Sequence, residues 1–206
     1  MFMRQAGPEM RQSLAHDLGR RALYASVGGG ILAFLGTMGL MGHATLLPPI
    51  AAALVTVALV VWSIRLLNAA DRQPPAESRP VNVRASYLLI TRMEYFGFLA
   101  ALLVCELFNQ MIWLLPAVAI ISGLHYLALG RLLPSRSSYI KGAILCLLAV
   151  ATVLFAPPLY PPHAAASAQV YLWWVIVGVG GGLVLWFDAV QCLTLGQRSM
   201  AASTAS

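Results

Sequence analysis

Long apolar runs recur along this chain with only short polar stretches between them, and no other feature narrows the fold as much. A helix rises 1.5 Å per residue and the hydrocarbon core of a bilayer is about 30 Å thick, so a predominantly apolar run of about 18 or more residues is long enough to cross it. Residues 22–42 and 44–67 are two such runs, parted at His43. Residues 87–130 are too long for one crossing and enough for two, 87–108 and 111–130, with Asn109 and Gln110 as the turn. A shorter fifth run, 139–156, ends at Pro157 and Pro158, and a sixth, 170–195, is long enough to tilt. Residues 68–86 hold Asp71, Arg72, Pro74, Pro75, Glu77, Arg79, Pro80 and Arg84, too much charge and proline for a helix inside lipid, and read as a loop. Composition agrees: 60% of residues are hydrophobic and 10% charged, against roughly 25% charged in a soluble domain. A soluble globular protein is excluded.

The expected fold is therefore all-α, a polytopic bundle of six transmembrane helices. The positive-inside rule orients it, because Lys and Arg accumulate on the cytoplasmic side. Arg4, Arg11, Arg20 and Arg21 precede the first span; Arg65, Arg72, Arg79, Arg84 and Arg92 surround loop 68–86; Arg131, Arg136 and Lys141 fall between the fourth and fifth spans; Arg198 follows the sixth. None of these thirteen lies in the three opposite turns, at His43, at Asn109 and Gln110, or in 157–169. Both termini are then cytoplasmic, and the expected location is a cell inner membrane. Residues 196–206 read as a cytoplasmic tail. In the segment 1–21, Met10, Leu14 and Leu18 share one helical face, which suggests a short interfacial amphipathic helix within 8–21.

A net charge of +6 invites a nucleic-acid reading, but the cations are spread over four segments, which topology and contact with anionic lipid explain without one. The expected surroundings are a lipid bilayer, with a homo-oligomer or a membrane partner protein as a further reading. No nucleotide-binding or hydrolase motif is present and no cofactor is expected. Cys105, Cys146 and Cys192 have no C-x-x-C spacing and read as packing residues. His16, His43 and His163 each lack a second histidine three or four residues away, so no metal site is expected.

Phe108-Asn109-Gln110-Met111, then Pro116, then Gly123-Leu124-His125-Tyr126 resemble a group of small bacterial inner-membrane proteins known as a domain of unknown function. The resemblance covers the third and fourth spans and implies a similar multi-pass architecture, with no activity attached. Leu46-Leu47-Pro48-Pro49-Ile50 and Leu114-Leu115-Pro116-Ala117-Val118 also look alike, a hint of duplicated hairpins that the preference of proline for a first helical turn explains equally well.

Two sets of residues stand out. Gly28, Gly29 and Gly30 in the first span, continued by Gly36 and Gly39, and Gly178, Gly180, Gly181 and Gly182 in the sixth give faces where another backbone can approach, so these two helices are expected to pack through them. Consecutive glycines also weaken a helix, which makes local unwinding an alternative there. The second set is ionisable residues at membrane depth, which are costly and seldom idle. Counting rise from each helix end puts Glu94, His125 and Asp188 at one level, about 8–11 Å inside the cytoplasmic boundary. Arg92, Tyr95, Tyr126 and Gln191 are near enough in sequence to join them. As a cluster they would suit a small permease or proton-coupled carrier; as interfacial groups reaching the headgroups they would not. Glu106, near the outer end of the third span with Asn109 and Gln110, reads as structural. A non-enzymatic scaffold or subunit of a larger membrane complex is the competing function. A membrane enzyme ranks third, because no reaction-specific pairing of residues is visible.

Overall fold

The computed structural model describes residues 8–40, 46–71, 81–132, 136–161 and 170–204. Helices dominate: α1 (Pro8–Met38), α2 (Leu47–Asp71), α3 (Val81–Leu107), α4 (Leu114–Leu132), α5 (Arg136–Phe155), a short α6 (Leu172–Trp174) and α7 (Gly180–Thr204). A 3-10 turn, Met111–Trp113, leads into α4, and a π-helical segment, Val175–Val179, joins α6 to α7. Two two-residue strands, β1 (Leu159–Tyr160) and β2 (Val170–Tyr171), pair antiparallel with Leu159 opposite Tyr171. Among the described residues, four helical stretches are long and apolar enough to cross a membrane: Leu47–Asp71, Met111–Leu132, Arg136–Phe155 and Leu172–Ala201. This is a helical membrane protein.

Several boundaries depart from the sequence reading. α1 begins at Pro8 and runs unbroken to Met38, so no separate interfacial helix ends at Arg21. α2 extends to Asp71 and α3 starts at Val81, which takes both ends of the expected loop 68–86 into helices. Charge and proline forbid a helix inside lipid, not one that emerges from it. For the same reason α7 continues to Thr204 through most of the expected tail. The turn between α3 and α4 falls at Asn109, whose φ of 52° puts it in the left-handed region that asparagine tolerates. His43, His163 and residues 72–80 lie outside the described residues.

The chain divides into two compact units, each described here by itself. The first takes its described residues from Met1–Ile31, Ala51–Ser78 and Leu185–Ser206. Its core is small: Ala22 and Ala25 of α1, Leu59 and Leu66 of α2, and Ala189, Cys192 and Leu193 of α7, with Leu18, Trp62, Trp186 and Met200 packed around them. Glycine lets the helices come close. A Cβ on Gly19 would lie 2.9 Å from Leu67 Cδ2, one on Gly30 would overlap Thr56, and one on Gly196 would lie 2.5 Å from Leu66 Cδ2. Leu54, Val57, Val61 and Ile64 form an exposed apolar row on α2 at helical spacing, as a lipid-facing stripe requires.

The second unit draws on Leu32–Ile50 and Arg79–Val184. α4 is its centre, packed on α3 and α5. Gly123 and Gly142 face each other across α4 and α5: a Cβ on Gly142 would lie 2.6 Å from the carbonyl oxygen of Gly123. At the far end, Trp173 Nε1 donates to the Ala156 carbonyl at 2.8 Å and Trp174 Nε1 to the Ile112 carbonyl at 3.2 Å. Trp113 stacks edge-on to Trp173 with centroids 4.8 Å apart. The Ala156 carbonyl, just past the C-terminus of α5, has no partner further along that helix, and Ile112 lies four residues before Pro116, which has no N–H to give it; each indole supplies a donor. Trp173→Phe, which removes the donor and keeps most of the bulk, is expected to lower stability by about 1 kcal/mol; thermal unfolding in detergent measures it, and an unchanged melting temperature would mean that the bond adds nothing.

Candidate functional site

Glu94 sits in α3 and Ser122 and His125 in α4, the last two three residues apart and therefore on one face. α3 can approach that face because Gly97, one turn beyond Glu94, has no side chain; a Cβ there would lie 3.0 Å from Ile121 Cγ2. The result is a small polar group inside an apolar unit. His125 Nδ1 lies 3.2 Å from Glu94 Oε2, with the two side chains 10% and 17% exposed. Ser122 Oγ donates to the other carboxylate oxygen, Oε1, at 3.3 Å. The His125 ring also meets the Tyr126 ring edge to face, with centroids 5.8 Å apart. A carboxylate with an imidazole on one oxygen and a hydroxyl on the other can hold a proton, and a proton on Nδ1 has an acceptor within reach.

Asp188 belongs to the first unit and has its own cation there. Arg21 Nε lies 3.3 Å from Asp188 Oδ2, and Asp188 is 1% exposed while Arg21 is 31% exposed. Cys192, one turn on, directs its Sγ at Asp188 Oδ1 at 3.7 Å. The sequence reading thus placed Asp188 by depth alone, and its charge is balanced by an arginine counted only as a topology signal. Of the other candidates, Arg92 and Tyr95 are exposed on α3, Glu106 is exposed near its end, and Gln191 is half-buried on α7. Two groups were missed. Ser122 carries no signal in the sequence because serine is common in helices; Lys141, which counts there among the cations between the fourth and fifth spans, is 6% exposed on the buried face of α5 that also carries Ser138, Gly142 and Leu145.

The glycine sets do not meet as the triplets suggested. Gly28 approaches Leu185 of α7 at 3.3 Å from its would-be Cβ, Gly30 faces α2, Gly180 faces Leu148 of α5, and Gly181 faces Leu32 and Leu145. Gly29 and Gly182 are buried. Backbone meets backbone further along the same face, where Gly36 approaches Gly178 and Gly39 approaches the Tyr171 carbonyl. Among the described residues, no group of three His, Cys, Asp or Glu side chains is placed to hold a metal ion, and the three cysteines are free thiols. No protein-family model, curated protein or solved structure matches the chain.

Proposed function

We propose that the chain is a six-span inner-membrane protein with both termini in the cytoplasm, and that it acts as a small proton-coupled carrier in which Glu94 and His125 exchange the proton. The observation that carries this reading is the 3.2 Å approach of His125 to Glu94, both largely buried, within a unit of apolar helices. Ionisable residues at membrane depth are costly to keep and recur along ion and proton paths. Histidine is the side chain whose ordinary pKa lies closest to neutrality, so it can load and unload within the physiological range.

The six-span count adds α1 and α3 to the four clearly apolar helices. Both are long enough, at 31 and 27 residues, and their cations, as deep as Arg21 in α1 and Arg92 in α3, lie in the N-terminal halves, which the positive-inside rule assigns to one side of the bilayer. Single-cysteine variants at Ala76 and Ala165, in a background without the native cysteines, should label from opposite faces. Labelling of both from one face would remove the topology.

Protein reconstituted in liposomes with a trapped pH dye, and given a mixture of small solutes because a coupled carrier moves its proton together with a substrate, is expected to dissipate an imposed proton gradient faster than protein-free vesicles given the same mixture. Glu94→Gln should return the rate to that of empty vesicles, whereas Arg92→Gln, on the exposed side of the same helix, should not. Wild-type vesicles that leak no faster than empty ones would leave the scaffold reading in its place.

A further inference from the structure

Between α2 and α7, both among the four apolar helices, the first unit holds a groove of about 450 Å³ lined by Trp62, Arg65, Leu66, Ala69, Gln197 and Met200. We infer that this groove binds one anionic phospholipid, with the phosphate on Arg65 and the upper acyl chain against Leu66, Ala69 and Met200.

Position, wall chemistry and charge each point to this ligand. Arg65 lies six residues before the end of α2 at Asp71, about 9 Å along the axis, and Gln197 and Met200 lie in the last two turns of α7. The groove is thus at the ends of two membrane helices, where hydrocarbon gives way to headgroups. Trp62 precedes Arg65 by three residues and so shares its face. An indole with a guanidinium one turn nearer the helix end is the arrangement that suits this boundary, with the ring at headgroup level and the long cation reaching outward. Apart from Arg65 and Gln197 the lining is apolar or aromatic, and Arg65 has no ion pair or hydrogen bond among the described residues. A free phosphate would use the cation and leave the apolar walls wet; a zwitterionic lipid would use the walls and bring its own cation to Arg65. An anionic lipid matches both. The volume is in the range of small-ligand sites, about 300–1,000 Å³, enough for a headgroup and the first part of a chain but not for a folded partner.

Native mass spectrometry of the full chain in detergent, with equal amounts of phosphatidylglycerol and phosphatidylcholine, tests this. The wild type is expected to retain one phosphatidylglycerol in about fivefold preference, the selectivity that one arginine gives at an anionic surface. Arg65→Gln should bring the ratio close to one, while Arg131→Gln, an exposed arginine at the end of α4, should leave it unchanged. Met200→Trp fills the groove without altering its charge and should lower retention of both lipids. A wild-type ratio near one overturns the proposal, as does an Arg65→Gln ratio equal to that of wild type. Displacement of the bound lipid by millimolar inorganic phosphate would assign the site to a free anion and overturn it too. Should Arg65→Gln fail to fold, the wild-type competition and Met200→Trp decide the matter.

Discussion

Arg21→Leu is expected to destabilise the protein by about 3–5 kcal/mol, the cost of removing one partner from a buried ion pair. Asp188 is 1% exposed, in α7 beside the core residues Ala189, Cys192 and Leu193, so its carboxylate cannot turn to water when the guanidinium 3.3 Å away is deleted. The reverse deletion leaves a different remainder. Arg21 is 31% exposed, and its long side chain can carry its charge outward toward solvent or headgroups. Asp188→Asn should therefore cost less, about 1–3 kcal/mol for the weakened hydrogen bonding. The double variant Arg21→Leu/Asp188→Leu replaces both charges by apolar groups and should recover most of the loss, since buried pairs are often matched by hydrophobic substitutes. Reversible unfolding in mixed micelles gives all three values. If Arg21→Leu proves no worse than Asp188→Asn, the pair does not balance charge in the core.

That pair marks the limit of what was legible in the sequence. The apolar runs announce helices because a lipid-embedded backbone must bond to itself, and α2, α4, α5 and the 172–201 stretch follow from that alone. Depth could also be counted, since rise per residue is fixed. Rotation could not: Glu94, His125 and Asp188 share a level by counting, but which side of each helix faces which neighbour is decided by packing. Glu94 and His125 meet because Gly97 lets α3 close on α4. Asp188 pairs with Arg21, a cation whose place beside the start of the first span reads equally well as a topology signal. Lys141 likewise reads as a topology signal at the start of the fifth span, although it lies on the buried face of α5. The ends of α1, α2 and α7 were misjudged because a helix that leaves the bilayer is free to carry charge.

Gly178→Ala is expected to cost about 3 kcal/mol, at the upper end of what one added methyl group costs in a packed interior, although alanine is ordinarily the better helix residue. The reason is what the methyl would strike. A Cβ on Gly178 would overlap Gly36 Cα and lie 2.7 Å from the Leu32 carbonyl oxygen; a Cβ on Gly36 would lie 2.7 Å from Val179 N. These neighbours are backbone atoms, which yield only if α1 and the π-helical segment move apart. Gly178 also sits inside that segment, Val175–Val179, where the backbone follows neither the geometry nor the propensities of an α-helix, so the usual gain of about 1 kcal/mol for glycine to alanine is not available to offset the clash. Gly181→Ala is the matched control, three residues on and inside α7. Its Cβ would meet only side-chain ends, Leu32 Cδ1 at 3.2 Å and Leu145 Cδ2 at 3.6 Å, which can rotate by a few tenths of an ångström. Gly181→Ala should be neutral or stabilising by up to about 1 kcal/mol. Gly36→Ala should repeat the Gly178 loss, and the double variant should cost less than the sum, because helices already forced apart by one methyl group have room for the second. Melting of the four variants in one detergent decides it: if Gly178→Ala and Gly181→Ala unfold at the same temperature, the close approach of Gly36 and Gly178 does not hold these elements together.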